Sequence, residues 1–451
     1  MKIAFHLNCL EQGGAERVVS NLANQFAEDG DEVYILTEWK AENEFRISDK
    51  VKRVHVGLKP EDDKKGRITK FLLRIRYLHR FMKQEKPDVV AAFAHRAIYR
   101  ALTASIGTGV PVITAVRTDP TGHYDHWDDK IQIPLLFPRA AGCVFQTEGQ
   151  RDFFPVYVRK KSTIILNPIH DKYLNVPEPS VRQKEVVQSG RLVDFKNQPM
   201  LIEAFLEVHK KHPDYVLKIY GPDSKDGTKE ILEHLIEQNK AQEYVMLMGG
   251  SDELEKQLPK ASVYAFSSDW EGLPNALLEA LALGLPVVAT DCPCGGPRTV
   301  ISSGENGILV PIKNKEAMTE AINLLIEDRE LAERLGEKAR ELGSSITASS
   351  IAEQWRYGDF ILNLHHFHLF TWKGYEGKDL EHIDPLYLNA QGDKGNTMLT
   401  VINPTIKLNI TKHIKANVEA NYYLRQTHYS AYKDISYRTF ETRLGMSYHF
   451  Q

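Results

Sequence analysis

Several features that place proteins in broad classes are scarce or missing in this sequence. It has four cysteines in 451 residues, too few for a disulfide framework and typical of a reducing compartment. No apolar run approaches the roughly 20 residues that a membrane-spanning helix needs. The N-terminal Met-Lys-Ile-Ala-Phe-His-Leu-Asn lacks the apolar core and cleavage site of a signal peptide. We therefore expect a cytoplasmic protein.

An excess of charge and an obvious metal site are missing as well. The formal net charge of -3 argues against a nucleic-acid-binding protein, which would carry a large positive surface. The pair Cys292 and Cys294 is too closely spaced and too isolated for a zinc site. The composition, 42% hydrophobic and 26% charged, is that of an ordinary globular protein, and the length favours two or three domains.

Short apolar segments recur along the chain, with helical segments between most of them. In the first part they cover residues 2–8, 32–37, 53–56, 88–93, 112–116, 142–146 and 163–166. A proline-rich, aperiodic stretch at 168–184 follows and reads as a linker. Further apolar segments lie at 185–189, 216–221, 244–247, 262–266 and 286–290. The alternation predicts an α/β protein with a doubly wound parallel sheet on either side of the linker.

One loop of the second sheet carries two glutamates. Glu271 follows the strand at 262–266, and Glu279 lies eight residues later on the otherwise apolar helix 276–283. Open α/β sheets bind ligands at the carboxyl ends of their strands, and a helix N-terminus attracts phosphate or sugar oxygens. A buried glutamate is costly unless it is paired or bound to a ligand. By spacing alone, the two glutamates are equally well interpreted as ligand-binding residues or as a loop residue and a helix-surface residue without a binding role.

Two other strand-to-helix turns have residues suited to an anion. Gly13 and Gly14 follow the first strand, where glycine lets the backbone approach a phosphate closely. Arg191 and Lys196 follow the strand at 185–189, where two cations can bracket a pyrophosphate. Neither pattern is specific by itself, because many such turns carry glycine for geometry alone.

The helix predicted at 64–83 has an unusual charge pattern. Arg67, Lys70 and Arg74 fall three and four residues apart and share one face, with no acidic residue between positions 66 and 84. This face is therefore either an unneutralised binding surface or a solvated one. A second set at helical spacing predicts a packing stripe: Ile68, Phe71, Leu72, Ile75 and Leu78.

The string Glu-Gly-Leu-Pro-Asn-Ala-Leu-Leu-Glu-Ala from Glu271 resembles the Glu-x7-Glu signature of the retaining family-4 glycosyltransferases of GT-B fold. Gly-Arg-Leu…Lys-Asn from Gly190 matches a second signature of that family. The resemblance covers about residues 1–362. It implies two Rossmann-like domains facing across a cleft, an acceptor domain at 1–178 and a nucleotide-sugar domain at 179–346, followed by a return helix at 347–362.

The resemblance also implies roles for the residues of the three turns. Arg191 and Lys196 would neutralise the departing diphosphate, while Glu271 would position the donor sugar. The implied donor-binding residues are Gly13, Gly14, Gly272, Leu273, Pro274, Asn275 and Glu279, the last of which would hold the ribose. No metal or other cofactor is implied, so the acidic string Asp125-His-Trp-Asp-Asp is interpreted as a loop.

A narrower likeness points to the substrates. Gly-Gly-Ala-Glu-Arg-Val near the start and Thr-Asp-Cys-Pro-Cys-Gly-Gly-Pro-Arg resemble bacterial enzymes that add hexoses or N-acetylhexosamines to polyprenyl-diphosphate-linked oligosaccharides. The expected donor is a UDP-sugar, and the expected location is the inner face of the cytoplasmic membrane. The implied acceptor and membrane residues are Arg67, Lys70, Arg74, Arg117 and His123. Some relatives have a histidine where Arg117 stands, and His123 follows six residues later.

The tail at 363–451 does not share this resemblance. Residues 405–410, 414–424 and 440–450 alternate polar and apolar side chains, which predicts three antiparallel strands. They resemble the last strands of an outer-membrane β-barrel; a soluble meander is the alternative. We interpret the tail as foreign to the enzyme.

Two other functions are compatible with parts of the pattern. A GT-B nucleotide-sugar 2-epimerase would use a related cleft, but the pairs Glu271/Glu279 and Arg191/Lys196 disfavour it. A non-catalytic protein that binds sugar nucleotides or membranes, with the tail as its working part, is the other alternative. Release of UDP that depends on an acceptor would distinguish a transferase from both.

Overall fold

The computed structural model describes residues 1–11, 13–357, 364–373, 395–409, 414–429 and 435–448. The chain divides into two compact units, Met1–Trp355 and Arg356–Gln451. The first unit contains two parallel sheets with their helices, and the second contains one antiparallel sheet. Each unit is described by itself.

The first sheet has seven parallel strands in the order β3-β2-β1-β4-β5-β6-β7. They are β1 (Lys2–Leu7), β2 (Glu32–Thr37), β3 (Lys52–His55), β4 (Val89–Phe93), β5 (Val112–Ala115), β6 (Gly142–Phe145) and β7 (Ser162–Ile164). Strand β4, Val-Val-Ala-Ala-Phe, is buried along its whole length, as expected where helices cover both faces of a parallel sheet. The strand order reverses between β1 and β4, which places a topological switch point there.

The helices of this half follow their strands. They are α1 (Gly14–Glu28), α2 (Arg67–Glu85), α3 (His95–Ala104), α4 (Pro120–His123), α5 (Asp129–Leu136), α6 (Glu148–Phe153) and α7 (Val156–Arg159). Short 3-10 helices occur here at Pro60–Asp62, Phe137–Arg139 and Asp171–Tyr173, and in the next half at Asp194–Lys196 and Leu258–Lys260.

The second sheet has six parallel strands in the order β10-β9-β8-β11-β12-β13. They are β8 (Gln183–Ser189), β9 (Val216–Tyr220), β10 (Val245–Gly249), β11 (Ala261–Phe266), β12 (Val287–Thr290) and β13 (Ile308–Val310). Its helices are α8 (Gln198–Lys211), α9 (Thr228–Gln238), α10 (Leu254–Gln257), α11 (Asn275–Ala282), α12 (Gly296–Val300), α13 (Lys315–Glu327) and α14 (Arg329–Ser345). The switch point of this sheet lies between β8 and β11.

The predicted fold class is confirmed, because the chain forms two Rossmann-like parallel sheets. Strand β13 was not predicted from the sequence. The domain boundary at residues 178 and 179 remains a prediction; it falls between the last strand of the first sheet and the first strand of the second. No helix in the described ranges combines the length and the apolar character needed to cross a bilayer.

The chain then returns to the first sheet. The helix α15 (Ala348–Tyr357) places Trp355 on Phe93 at the end of β4, with ring centroids 5.6 Å apart and the rings stacked. Just before it, the Ile346 carbonyl accepts a hydrogen bond of 2.9 Å from the Ile169 amide of the linker. The two connections between the domains therefore run side by side. The predicted end of this helix, residues 358–362, lies outside the described residues.

In its described ranges the tail forms four antiparallel strands, whereas three were predicted. They are β14 (Leu364–Lys373), β15 (Gly395–Asn409), β16 (Ile414–Tyr429) and β17 (Ile435–Tyr448), paired in chain order. Strand β14 was missed because its sequence, Leu-His-His-Phe-His-Leu-Phe-Thr-Trp-Lys, does not alternate strictly and its register shifts between His365 and His368. Positions 410, 449 and 450 of the predicted strands lie outside the described residues.

Deleting residues 363–451 tests whether the tail is needed. Both parallel sheets and α15 precede residue 358, so we expect the shortened chain to fold with the stability of the full chain. Soluble yield should increase, because the deletion removes the two edge strands of an open sheet. Thermal unfolding and the soluble yield of both chains would measure this. A shortened chain that does not fold would show that the tail is an integral part of the protein.

Candidate functional site at the domain interface

The loop before α11 touches the first domain at the turn after β1. Asn275 Nδ2 donates a hydrogen bond of 3.1 Å to the carbonyl of Gly14. Asn167, in the linker region, donates from Nδ2 to Asn275 Oδ1 at 2.7 Å and to the Leu273 carbonyl at 3.1 Å. The structure thus brings together Gly14, Leu273 and Asn275, which the sequence placed in one donor-binding set.

Glycine is required where the loop approaches the first domain. A Cβ atom on Gly272 would lie 2.8 Å from Gln146 Oε1 and 2.9 Å from the Arg117 carbonyl. Gln146 Oε1 also accepts a hydrogen bond of 3.3 Å from the Leu273 amide. The close approach lets a backbone amide of the second domain bond to a buried side chain of the first.

Lys196 and Glu271 form an ion pair beside this loop. Their side chains are 12% and 16% exposed, so the pair is largely removed from water. The Lys196 ammonium also lies 5.4 Å from the centre of the Phe266 ring. A cation and an anion in so dry a place attract each other strongly. A bound anion would therefore compete with Glu271 for Lys196.

Glu279 is 2% exposed and pairs with Arg17, which lies in the first turn of the helix α1 of the other domain. Glu279 is the first cause of a raised pKa of Arg17. Burial first, and Glu279 next, raises the pKa of the neighbouring Tyr173. A buried Glu279 was expected to need a partner, and in the structure this partner is Arg17. The sequence did not identify Arg17 in this role.

Arg191 and Glu16 lie across the domain interface from each other. Burial raises the pKa of Glu16, and the charge of Arg191 acts in the opposite direction. Any side chain at Gly13 would overlap the Glu16 carboxylate. Arg191, which is exposed, is thus close enough for its charge to act on Glu16, and its role at a phosphate stays a prediction.

Arg117 is half-buried, and its acceptor role stays a prediction, since its Nε and Nη2 atoms have no hydrogen-bond partner in the described part of the chain. Its guanidinium lies over the rings of Phe93 and Trp355, at 5.3 and 5.5 Å from their centroids. Nη1 donates to the Ile165 carbonyl and to Asn167 Oδ1, both at 3.2 Å. Burial lowers the pKa of Arg117 to about 9. The residue connects the linker to α15 beneath the site.

His123, in contrast, reaches the second domain. Its ring lies 5.8 Å from the ring of Trp270 in an edge-to-face arrangement, and Trp270 stacks on Phe195 at 4.2 Å. Trp270 precedes Glu271, and Phe195 precedes Lys196. His123 is therefore close to the ion pair on its first-domain side.

The basic face of α2 is partly neutralised from another element. Arg74 Nε lies 3.1 Å from Glu38 Oε2, and Glu38, which follows β2, also pairs with Arg100. The prediction of an unneutralised face is therefore wrong at Arg74. Arg67 and Lys70 have no acidic partner within the described part of the chain.

The packing stripe predicted on α2 is also only half present. Leu78 is buried, but Ile68, Phe71 and Leu72 are 77%, 54% and 58% exposed. The C-terminal half of α2 is buried through Leu78, Phe81 and Met82, and α2 packs on α3. The first turns of the helix thus expose apolar side chains next to two free cations.

The acidic string from Asp125 is not simply a loop. Asp129 is the first residue of α5, is fully buried and accepts a hydrogen bond of 2.6 Å from His95 Nε2. Cys292 and Cys294 are buried thiols, and burial raises the pKa of Cys294 to about 12. Within the described ranges, no group of three or more His, Cys, Asp or Glu side chains is arranged to hold a metal ion.

Residues that were missed share one property. Arg17, Gln146 and Asn167 are far in sequence from the groups they contact in the second domain. Only Arg17 had a signal, since it ends the Gly-Gly-Ala-Glu-Arg string. A polar contact between two domains leaves no periodic pattern or fixed spacing in the sequence by which it could be predicted.

Two family models match this chain. The model described as Glycosyltransferase Family 4 matches residues 12–172, and the model described as Glycosyl transferases group 1 matches residues 171–342. The two matches meet in the linker and together include every turn of the site.

Individual proteins give a consistent result. The chain is 26% identical over 367 residues to the N-acetylgalactosamine-N,N'-diacetylbacillosaminyl-diphospho-undecaprenol 4-alpha-N-acetylgalactosaminyltransferase of Campylobacter jejuni, covering 78% of this chain and 97% of that one. It is 36% identical over 181 residues to an exopolysaccharide phosphotransferase of Streptomyces coelicolor, covering 40% of this chain but only 19% of that protein. The crystal structure of Anabaena HepE in complex with UDP and glucose has the same fold, with a TM-score of 0.66, 17% identity and coverage of 79% and 98%.

Substituting Gly272 by alanine tests the close approach. The added methyl group would meet Gln146 Oε1 at 2.8 Å, so the loop or the Gln146 side chain must shift. We expect a loss of unfolding free energy of about 1–3 kcal/mol, the usual cost of overpacking. Gly66→Ala is the matched control, since its methyl group would meet nothing within 4 Å. Urea unfolding of the two variants measures the difference, and equal stability would contradict the close packing.

Proposed function

Because the chain belongs to the GT-B glycosyltransferases, we propose that it moves a hexose or N-acetylhexosamine from a UDP-sugar to a saccharide linked to polyprenyl diphosphate, with retention of anomeric configuration. The observation that carries this proposal is the pair of buried ion pairs, Lys196–Glu271 and Arg17–Glu279, at the carboxyl ends of two parallel sheets. Such sheet edges are the usual ligand sites of open α/β folds.

The diphosphate would lie between the turn after β8 and the turn after β1. Arg191 and Lys196 precede α8, whose N-terminus adds a favourable field for an anion. As the bond from the sugar to the diphosphate breaks, negative charge grows on the leaving oxygens. Cations already held in a dry site stabilise that charge without reorganising. Lys196 would exchange its bond to Glu271 for one to the diphosphate.

Glu271 and Glu279 would hold the two ends of the donor. Once released from Lys196, Glu271 can accept hydrogen bonds from the hydroxyls of the transferred sugar. Glu279 would accept those of the ribose, with Arg17 holding its carboxylate in position. Since Arg17 comes from α1, the nucleotide would be bound by both domains at once.

The acceptor class is supported by a relative and by a surface. The Campylobacter relative is named for an acceptor on diphospho-undecaprenol. On α2 of this chain, Ile68, Phe71 and Leu72 are exposed beside Arg67 and Lys70. Apolar side chains flanked by cations are typical of a helix that lies in the interface of an anionic membrane. We therefore infer a peripheral location at the inner face of the cytoplasmic membrane, where a lipid-linked acceptor would be found.

The Lys196→Ala variant tests the diphosphate role. We expect turnover to fall on the order of a hundredfold or more, the loss typical of removing one preorganised charge-stabilising group. UDP release would be followed with a panel of UDP-sugars and a synthetic polyprenyl-diphosphate saccharide as acceptor. Lys218→Ala is the matched control, because Lys218 forms a comparably buried pair with Glu185 away from the site. Turnover close to that of the wild type in Lys196→Ala would rule out the assignment, and a rate of UDP release that the acceptor does not increase would rule out transfer.

The double variant Ile68→Ser/Phe71→Ser tests the membrane surface. We expect at least a tenfold loss of binding to phosphatidylglycerol vesicles, since burying each side chain in the interface contributes about 1.5–3 kcal/mol. Hydrolysis of the donor by water should not change. Ile231→Ser is the control, as Ile231 is 59% exposed on α9 of the other domain. Equal vesicle binding of all three proteins would show that the α2 surface is only solvated.

A further inference from the structure

The turn between β4 and α3 holds a histidine in an unusual backbone setting. Ala94, between Phe93 and His95, has φ 69° and ψ 143°, a conformation rarely adopted by a residue with a side chain. Such a strained residue persists only where the surrounding structure requires it. His95 follows as the first residue of α3, at the carboxyl end of the sheet.

A buried carboxylate holds the far side of the His95 ring. Asp129 is fully buried, and its Oδ1 accepts from His95 Nε2 at 2.6 Å and from the Tyr99 hydroxyl at 2.7 Å. Its Oδ2 accepts from the His126 amide at 3.2 Å. The rings of Tyr99 and Tyr124 pack edge-to-face on the imidazole at 5.1 and 4.3 Å. The ring can neither turn nor flip without losing these contacts.

This arrangement determines which nitrogen is free. Burial lowers the pKa of His95, against the opposing effect of Asp129, which favours a neutral imidazole. With Nε2 bonded to a carboxylate, the proton lies on Nε2 and Nδ1 keeps a lone pair. Nδ1 has no hydrogen-bond partner in the described part of the chain, and the side chain is 16% exposed. Nδ1 is thus the ring nitrogen left to accept a hydrogen bond from a ligand.

The free nitrogen is on the first-domain side of the site. Strands β4 and β5 are neighbours, so the turns after them share one sheet edge. His123, from the turn after β5, is close enough to contribute to the lowered pKa of His95. The His123 ring in turn contacts Trp270, next to Glu271. His95 and His123 thus follow neighbouring strands of the first sheet, and His123 contacts the residue before Glu271.

We propose that His95 binds the acceptor saccharide, with Nδ1 accepting a hydrogen bond from one of its hydroxyl groups. This inference rests on the proposed glycosyl transfer and adds a specific acceptor contact to it. A neutral imidazole nitrogen held by a buried carboxylate is matched to an O–H donor, which every saccharide supplies. Asp129 and Tyr99 act through His95 as positioning residues.

Two substitutions separate the two nitrogens. In His95→Asn the amide oxygen can occupy the place of Nδ1, whereas in His95→Gln the amide nitrogen can occupy the place of Nε2 and nothing replaces Nδ1. We expect His95→Gln to raise the KM for the synthetic polyprenyl-diphosphate saccharide about tenfold, the effect of one lost hydrogen bond. His95→Asn should retain more of the acceptor affinity. UDP affinity and donor hydrolysis by water should be unchanged in both.

A control and two outcomes make the test decisive. His209→Gln removes a histidine of the second domain that is likewise held by a stacked ring, Tyr244 at 3.6 Å, and one hydrogen bond; its acceptor KM should match the wild type. Thermal unfolding identifies any variant that has lost its fold. An unchanged acceptor KM in folded His95→Gln, or equal losses in His95→Gln and His95→Asn, would overturn the His95 contact while leaving transfer intact. No acceptor-dependent UDP release by the wild type would instead overturn the proposed function.

Discussion

A carboxylate buried between two domains must be paired with a cation. In this protein one domain supplies the carboxylate and the other supplies the cation. Glu279 is on the second domain, and its partner Arg17 comes from the first. Removing both charges from water is costly, and the cost is recovered only while they are held together. The pair therefore links the relative position of the two sheets to the site at their edges. A ligand that bonds to Glu279 would compete with Arg17 and so weaken this link between the domains.

The rest of the interface is built to let polar groups meet at close range. Asn167, directly before the linker, bonds to the loop before α11 and, through its Oδ1, to Gln146 and Arg117. Gly272 provides the room for this, since a larger residue would overlap Gln146. A buried polar network stabilises a structure only when its members are satisfied. The donor loop is thus positioned by residues that do not belong to its own domain.

Charged residues near the site divide into those used by the fold and those left free. Glu38 forms ion pairs with Arg74 and Arg100. The guanidinium of Arg117 packs on the rings of Phe93 and Trp355. Lys70 and Arg67 keep no such partner among the described residues, and they lie next to exposed apolar side chains on α2. Within the described ranges, the α2 surface proposed to bind a membrane therefore has two free cations rather than three, and it also includes exposed apolar side chains.

The sequence by itself determined the two parallel sheets, the linker and the turns that carry Gly13, Arg191 and Glu271, because buried strands and glycine turns depend on residues close together in the chain. It also indicated that Glu279 is buried, since the helix around it is apolar. Only the tertiary structure decided which charges meet. His95 and Asp129 are 34 residues apart, and Arg17 and Glu279 are 262 apart. Such pairs follow from how helices and domains pack, so no local pattern of residues encodes them.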